Sequence, residues 1–416
     1  MIWVIGDIHG MIDPLERILG AIKRHHETIE PVDKLIFIGD YIDYGPDSRQ
    51  VLDRLMDLEF PAVFLMGNND DLALCYHLGD PFFQYSFSHQ WFKSGGRATL
   101  KSLRQFQDIT LPSAGNPPGL AGKTIKVPMI EDKYIHFLLD LIPSHREIFD
   151  LGSRQVGFSF FHGLPRVDQP LEAQLIKSRP EFISYLKNNL NHFESLKSKK
   201  YNKEDNESIY YSSTDKEIFT PYESFIWNDE YSYQYPYWGE VIIHGHHPTI
   251  KDNSYYNYSK IHYENSRCDK PHLSQYGKYH PKSHLPFFFS RAMGAGHVWP
   301  ADVPENDFIS FFEVSDHHFD VGQNGAVEAI NLDTGAAFNG GALSALGLSA
   351  QTLAKNEFLL YTTLTVGSDK AVRSEYEINP YRNTILDTPK VFQRTIHAGR
   401  LGADMSNPKV NAPFPY

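Results

Sequence analysis

The chain has 416 residues, 41% hydrophobic and 22% charged, so it is long for one compact domain and rich enough in apolar residues to bury a core. A formal net charge of −12 disfavours a non-specific grip on a nucleic-acid polymer or on anionic lipid. No run of about eighteen apolar residues suggests a membrane span. Cys75 and Cys268 alone argue against a disulfide framework or a thiolate metal cluster.

The N-terminal run Ile2–Ile5 lacks a basic flank and meets Gly6-Asp7, which reads as a buried strand and not as a signal peptide; a cytoplasmic setting is expected. Asp13-Pro14-Leu15-Glu16 then reads as a helix start, with Asp13 as N-cap and Pro14 in the first helical position. Ile12, Leu15, Ile18, Leu19 and Ile22 follow at helical spacing. Lys34–Ile38 reads as the next strand, ending at Gly39-Asp40. Asp47-Ser48 opens a second helix with Val51, Leu52, Leu55 and Leu58 on one face. Ala62–Met66 is the third strand, ending at Gly67-Asn68. This β-α-β-α-β order predicts three parallel neighbouring strands, with polar clusters beyond their carboxyl ends, where open α/β sheets bind ligands.

Residues 70–140 read as helices with a Gly/Pro-rich interruption at Ser113–Gly122. Glu147–Phe149 and Gln155–Phe161 suggest a hairpin leading into His162, and 171–200 looks helical before a Lys-rich tract whose plain reading is a solvated linker. Val241–Ile243 and Ala329–Leu332 are further strands. The stretch between them is rich in Tyr, His and Pro, and Phe358–Val366 alternates like a strand.

In chain order the strand ends supply Asp7 and His9, Asp40 and Asp43, Asn68, His162 and His246. Carboxylate, imidazole and amide oxygen together suit divalent Mn, Fe or Zn. They are too many for one ion, but suit two ions about 3.5–4 Å apart that share a bridging carboxylate and polarise a phosphoryl oxygen. A lone Asp-x-His is usually a capped turn and a lone His-Gly-His usually a loop; five such clusters, each after an apolar run, carry the inference.

Gly6-Asp7-Ile8-His9-Gly10, Gly39-Asp40-Tyr41-Ile42-Asp43-Tyr44-Gly45 and Gly67-Asn68-Asn69-Asp70 resemble the signature blocks of calcineurin-like metallophosphoesterases. Phe161-His162-Gly163 and His244-Gly245-His246-His247 resemble the fourth and fifth blocks of the branch that holds serine/threonine protein phosphatases and diadenosine tetraphosphatases. Asn331-Leu332-Asp333-Thr334-Gly335 resembles the strand end that closes the catalytic domain in its bacterial members. The resemblance implies a four-layer α/β/β/α sandwich. It makes Asp7 and His9 ligands of one metal ion, Asp40 the bridge, and Asn68, His162 and His246 ligands of the second. Manganese is the first expectation for both ions, iron or zinc the alternatives. His244 would orient or pack, Asp43 would orient a proton donor or the attacking water, and Tyr44 and His247 would face substrate.

The family pattern is broken in three places. Asn69 stands where the family has a leaving-group-protonating His, and an amide is no general acid, a loss worth about 10²–10⁴-fold on a poor leaving group. Tyr44 replaces a phosphate-gripping Arg, and Phe225–Glu230 offers no second cation before the fifth block. A replacement donor such as His247 or Tyr44, or an acidic leaving group, would restore turnover.

The expectation is therefore a catalytic domain over 1–250 and 328–345, an inserted loop or subdomain over 251–327, and a β-rich C-terminal extension over 346–416. Its function would be hydrolysis of a phosphate ester by a hydroxide held on the metal pair. A phosphorylated protein is the first substrate class, with a phosphodiester or a dinucleoside polyphosphate as alternative. A third possibility is an inactive protein that binds metal and a phosphorylated partner. The aromatic run Tyr222–Trp238 reads as lid packing sooner than a base-stacking platform, and the histidines of the insertion as solvated or packed.

Overall fold

The computed structural model describes residues 1–78, 91–110, 122–166, 169–186, 188, 226, 240–246, 287–290, 294–296, 319–320, 326–327, 329–337, 341–364, 391–397 and 400–401. The N-terminal half opens with β1 (Ile2–Ile5), α1 (Ile12–Thr28), β2 (Lys34–Phe37), α2 (Ser48–Met56), β3 (Ala62–Phe64) and α3 (Asn68–Leu78). The three strands are parallel neighbours, as their alternation with helices requires. Helix α1 starts two residues earlier than Asp13 implies: Met11 is the N-cap and makes no side-chain cap bond. Asp13 and Pro14 fall inside the first turn, where an amide N–H has no intrahelical acceptor and its absence from proline costs nothing.

Next come α4 (Arg97–Leu103), β4 (Arg104–Thr110), β5 (Thr124–Ile130) and α5 (Asp132–Leu139). The β4–β5 antiparallel hairpin lies where helices are expected from the sequence. Ile125, Val127 and Met129 alternate along β5, but so short a segment is also compatible with a helix, and the antiparallel pairing with β4 selects the strand. The tip of the hairpin, 111–121, lies outside the described residues.

The hairpin β6 (Ser144–Asp150) and β7 (Gln155–Phe161) is present as expected, followed by α6 (Leu171–Gln174) and a helical stretch over 179–186. Strands β8 (Val241–His244), β9 (Phe287–Ser290), β10 (Gly294–Gly296), β11 (Phe319–Asp320), β12 (Ala326–Val327) and β13 (Ala329–Asn331) follow. The chain then gives β14 (Ala342–Leu348), α7 (Ala350–Ala354), β15 (Glu357–Leu364), β16 (Val391–His397) and β17 (Arg400–Leu401). The Lys-rich tract, the insertion's histidines and the aromatic run, apart from buried Ile226, lie outside the described residues.

Two mixed sheets result. The first runs β11-β16-β15-β14-β1-β2-β3 and the second β10-β9-β13-β8-β7-β6. Strands β15 and β16, beyond residue 345, thus extend the N-terminal sheet. Alternation along β1 explains the layering. Ile2 and Val4 face a core shared with Phe158 and Phe160 of β7 and Ile243 of β8, while Trp3 and Ile5 face α1 on the opposite side. Leu171, Phe182 and Tyr185 pack with Ile242 and Ala329 on the outer face of the second sheet. The layers are α/β/β/α, the sandwich expected. Among the described residues no helix is long and apolar enough to cross a membrane.

Phe158, fully buried between the sheets, sets the first prediction. Phe158→Ala should cost about 3–5 kcal/mol by the cavity it leaves, read as a lower urea midpoint at unchanged slope.

Candidate metal centre

Strands β1, β2, β7 and β8 all end on one edge of the sandwich, and each hands over to a polar turn. Backbone bonds weave those turns together: the amides of Ile8 and His9 donate to the Asp40 carbonyl, Gly10 donates to Tyr41, and Gly245 donates to His162. The His246 amide donates to Asp7 Oδ2 at 2.9 Å and joins the two sheets across the site. Two glycines are dictated by this crowding. A Cβ on Gly67 would lie 2.1 Å from Asp40 Oδ1, and one on Gly245 would lie 2.0 Å from Asp7 Oδ1. His9, Asp40, Asp43, Tyr44 and His246 all adopt positive φ (49°, 52°, 71°, 57° and 72°). Such residues cost about 1–3 kcal/mol each and persist only where the surroundings hold them.

The ligand-capable atoms of Asp7, His9 and Asp40 lie within 4.8 Å of one another, as do those of Asp40, His162 and His246. Asp40 is common to both groups. His162 Nδ1 is 2.9 Å from the Ile38 carbonyl, which can only accept, so Nδ1 carries the hydrogen. Its Nε2 then faces Asn68 Oδ1 at 2.8 Å and Asp40 Oδ1 at 3.4 Å. His9 repeats the pattern, with Nδ1 3.1 Å from the Ile42 carbonyl and Nε2 3.6 Å from Asp40 Oδ2. A nitrogen lone pair aimed at oxygens is repulsive unless a cation or an extra proton lies between them. Buried Asp7 Oδ1 has no hydrogen-bond partner among the described residues. The donor set therefore fits divalent cations.

Around this centre Asp70 pins the turns: Oδ2 accepts from the amides of Asp40 and Gly67, and Oδ1 from that of Tyr41. Asn69 gives its backbone N–H to Asp40 Oδ1 (3.0 Å) and its Nδ2 to Asp40 Oδ2 (2.7 Å), so its amide grips a carboxylate. Asp43 is fully buried; its Oδ2 receives Trp91 Nε1–H at 2.6 Å and its Oδ1 receives the Thr99 hydroxyl at 2.5 Å. Tyr44 sets its ring edge-on to His9, centroids 4.8 Å apart. His244 is buried beside the turn, and His247 lies outside the described residues.

The structure thus brings Asp7, His9, Asp40, Asn68, His162 and His246 together. Three contributors are not evident from the motifs. Trp91 and Thr99 follow 48 and 56 residues after Asp43, with no block to mark them. Arg179, whose side chain is only 13% exposed, donates Nη1 to Asp71 Oδ1 at 2.6 Å and touches the Met66 sulfur. Asp71 is three residues after Asn68 on α3, so the guanidinium is tied to the helix that carries Asn68.

A fold of two stacked sheets with carboxylates and imidazoles gathered at the strand ends defines a metallophosphoesterase-type site. The family model of the calcineurin-like phosphoesterases matches residues 1–280, and the chain belongs to that family. Serine/threonine-protein phosphatase 2 of Escherichia coli strain K12 is 38% identical over 97 residues, 23% of this chain and 38% of that protein. A symmetrical bis(5'-nucleosyl)-tetraphosphatase of Thioalkalivibrio sulfidiphilus is 33% identical over 79 residues, 19% of this chain and 27% of that protein. This chain thus spans between about a quarter and two fifths of the length of these relatives. A solved metallophosphoesterase from Sphaerobacter thermophilus aligns at 13% identity over 84% of each chain with a TM-score of 0.33, too loose a likeness to bear on the fold.

Burial works against the charged forms of several of these groups. It pushes Asp70 up to about 8, helped by the charge of Asp40. Burial also raises Asp7, beside Asp333 and Asp40, and raises Asp43 despite the bonds from Thr99 and Trp91. Burial acts on Asp40 too, but the imidazoles of His162, His9 and His246 outweigh it and hold that carboxyl well below the usual range. Burial opposes a charged His162, yet Asp40 leaves it raised. Asp7, Asp43, Asp70 and His162 therefore keep protons in the folded chain that the unfolded chain releases. Between about pH 4 and pH 8 the metal-free protein should lose stability as pH rises. Asp40 adds the opposite slope only below about pH 4. Thermal unfolding in EDTA should show Tm falling from pH 5 to pH 8; a rising Tm would contradict the burial argument.

Proposed function

We propose that this protein is a two-metal phosphoesterase. The observation that carries the reading is the pair of ligand groups sharing Asp40. Asp7, His9 and Asp40 would hold one divalent ion; Asp40, Asn68, His162 and His246 would hold the other, manganese being the first candidate. The ions would supply Lewis acidity toward the phosphoryl oxygens and an acidified water. The carbonyls of Ile38 and Ile42 fix the tautomers of His162 and His9 and so keep both Nε2 lone pairs on the metal side. Tyr44 and His247 would line the substrate's approach. Arg179 would grip a phosphate oxygen with the donors that Asp71 leaves over, in place of the arginines missing from the motifs.

The sequence blocks favour a phosphorylated protein as substrate. One observation favours the alternative, a dinucleoside polyphosphate or another acidic leaving group. Asn69 spends its amide hydrogen on Asp40, and an amide has no proton to give an alkoxide. A departing phosphate or nitrophenolate needs none. With Mn²⁺ added, turnover of p-nitrophenyl phosphate and diadenosine tetraphosphate should exceed that of a phosphoserine peptide by at least about 100-fold. Equal turnover of the peptide would restore the phosphoprotein reading. No turnover of any of them, with two ions bound, would leave a phospho-partner-binding protein.

Arg179→Lys keeps a cation for Asp71 but loses the planar fork. A charge-assisted hydrogen bond contributes about 1.5–3 kcal/mol, so KM should rise about 10–100-fold with little change in Tm. An unchanged KM would remove Arg179 from the substrate site.

A further inference from the structure

The turn Ile42–Gly45 steers His9 in three ways: its Ile42 carbonyl fixes His9 Nδ1, its Gly45 amide donates to the His9 carbonyl at 2.9 Å, and its Tyr44 ring abuts the imidazole. Asp43 and Tyr44, at the turn's centre, are consecutive non-glycine residues in the left-handed region, so something outside the turn must hold them there. The segment Trp91–Thr99 makes that contact. Trp91 Nε1–H and the Thr99 hydroxyl each take one Asp43 oxygen, and Thr99 Oγ1 also accepts the Asp43 amide at 3.1 Å. Ser48, fully buried at the start of α2, closes the group with its hydroxyl 3.2 Å from Thr99 Oγ1. Gly95 lies so close that a Cβ there would sit 2.2 Å from the Tyr44 amide nitrogen, and Gly96 leaves room for the Trp91 ring, 2.4 Å from where its own Cβ would be. Two successive glycines let the segment close onto the turn.

We infer that Trp91 and Thr99 are positioning residues for one half of the metal centre, acting through the buried Asp43 carboxylate to hold the 42–45 turn, and with it His9, in ligating geometry. In this chain Asp43 would serve as the anchor of that brace. A carboxyl with both oxygens taken by an indole and a hydroxyl, and with Asn69 turned to Asp40, has no proton donor to orient among the described residues. The inference rests on the two-metal reading above, and predicts an asymmetry that reading does not contain. The Asp7–His9 half should depend on the 91–99 segment; the His162–His246 half, held by Ile38 and Gly245, should not.

Titration of the chelator-stripped full chain with Mn²⁺, by calorimetry and by electron paramagnetic resonance of the spin-coupled pair, tests this without substrate. Wild type should take two ions. Trp91→Phe, which keeps a ring and loses the N–H, and Thr99→Val, which keeps the shape and loses the hydroxyl, should each weaken one ion about 10–100-fold and leave the other unchanged. The coupled signal should vanish at sub-saturating Mn²⁺. Trp3→Phe, an equally buried tryptophan stacked on Tyr361 at 4.4 Å, should lower Tm without moving either affinity. Wild-type affinities for both ions in Thr99→Val would overturn the brace, as would equal weakening of both. A wild type that takes up no Mn²⁺ would overturn the two-metal reading and this inference with it.

Discussion

A carboxylate 1% exposed, at the meeting point of two sheets, has lost nearly all its water and must be repaid by neighbours. Asp40 is that carboxylate, and most of the site exists to surround it. His162, His9 and His246 face it, Asn69 brackets both its oxygens, and Asp70 holds its backbone amide. Asp7, Asp43 and Asp70 are also buried, and burial pushes each toward its protonated form in the metal-free chain. Cations would complete the centre. The fold's stability and the chemistry of the site therefore meet in the same few side chains.

The departures from the family pattern gain sense together. Where a histidine acid would need an aspartate to orient it, this chain has an asparagine engaged with Asp40 and an aspartate engaged with Trp91 and Thr99. Both polar side chains have structural partners, and on the proposed reading the leaving group would have to carry its own charge away. On the proposed reading the phosphate-gripping cation would be displaced along the chain in the same way: Arg179 comes from a helical stretch after the fourth block and is set by Asp71, while Tyr44 occupies the motif position and packs on His9.

The architecture explains why such drift is tolerated. Ligating residues sit on turns whose conformations are enforced by backbone bonds between strand ends and by glycines that no side chain could replace. The groups around them can change provided each buried oxygen still finds a donor. The hairpin β4–β5 and the 91–99 segment lie between the third and fourth blocks, the part of the described chain where sequence reading does least well.

The sequence by itself determines the parallel β1–β2–β3 core and the identity of the residues at the strand ends, while the sandwich follows from the family resemblance. Apolar runs broken by Gly-Asp or Gly-Asn are local signals, and strands of that kind can pack in few ways. Only the tertiary structure decided that β4 and β5 are strands, since short alternating segments with polar residues satisfy both periods until packing chooses. It alone assigned partners to Asn69, Asp43 and Arg179. A hydrogen bond between residues 29, 56 or 108 positions apart leaves no periodic trace in the chain. It follows from which turns the two sheets bring face to face.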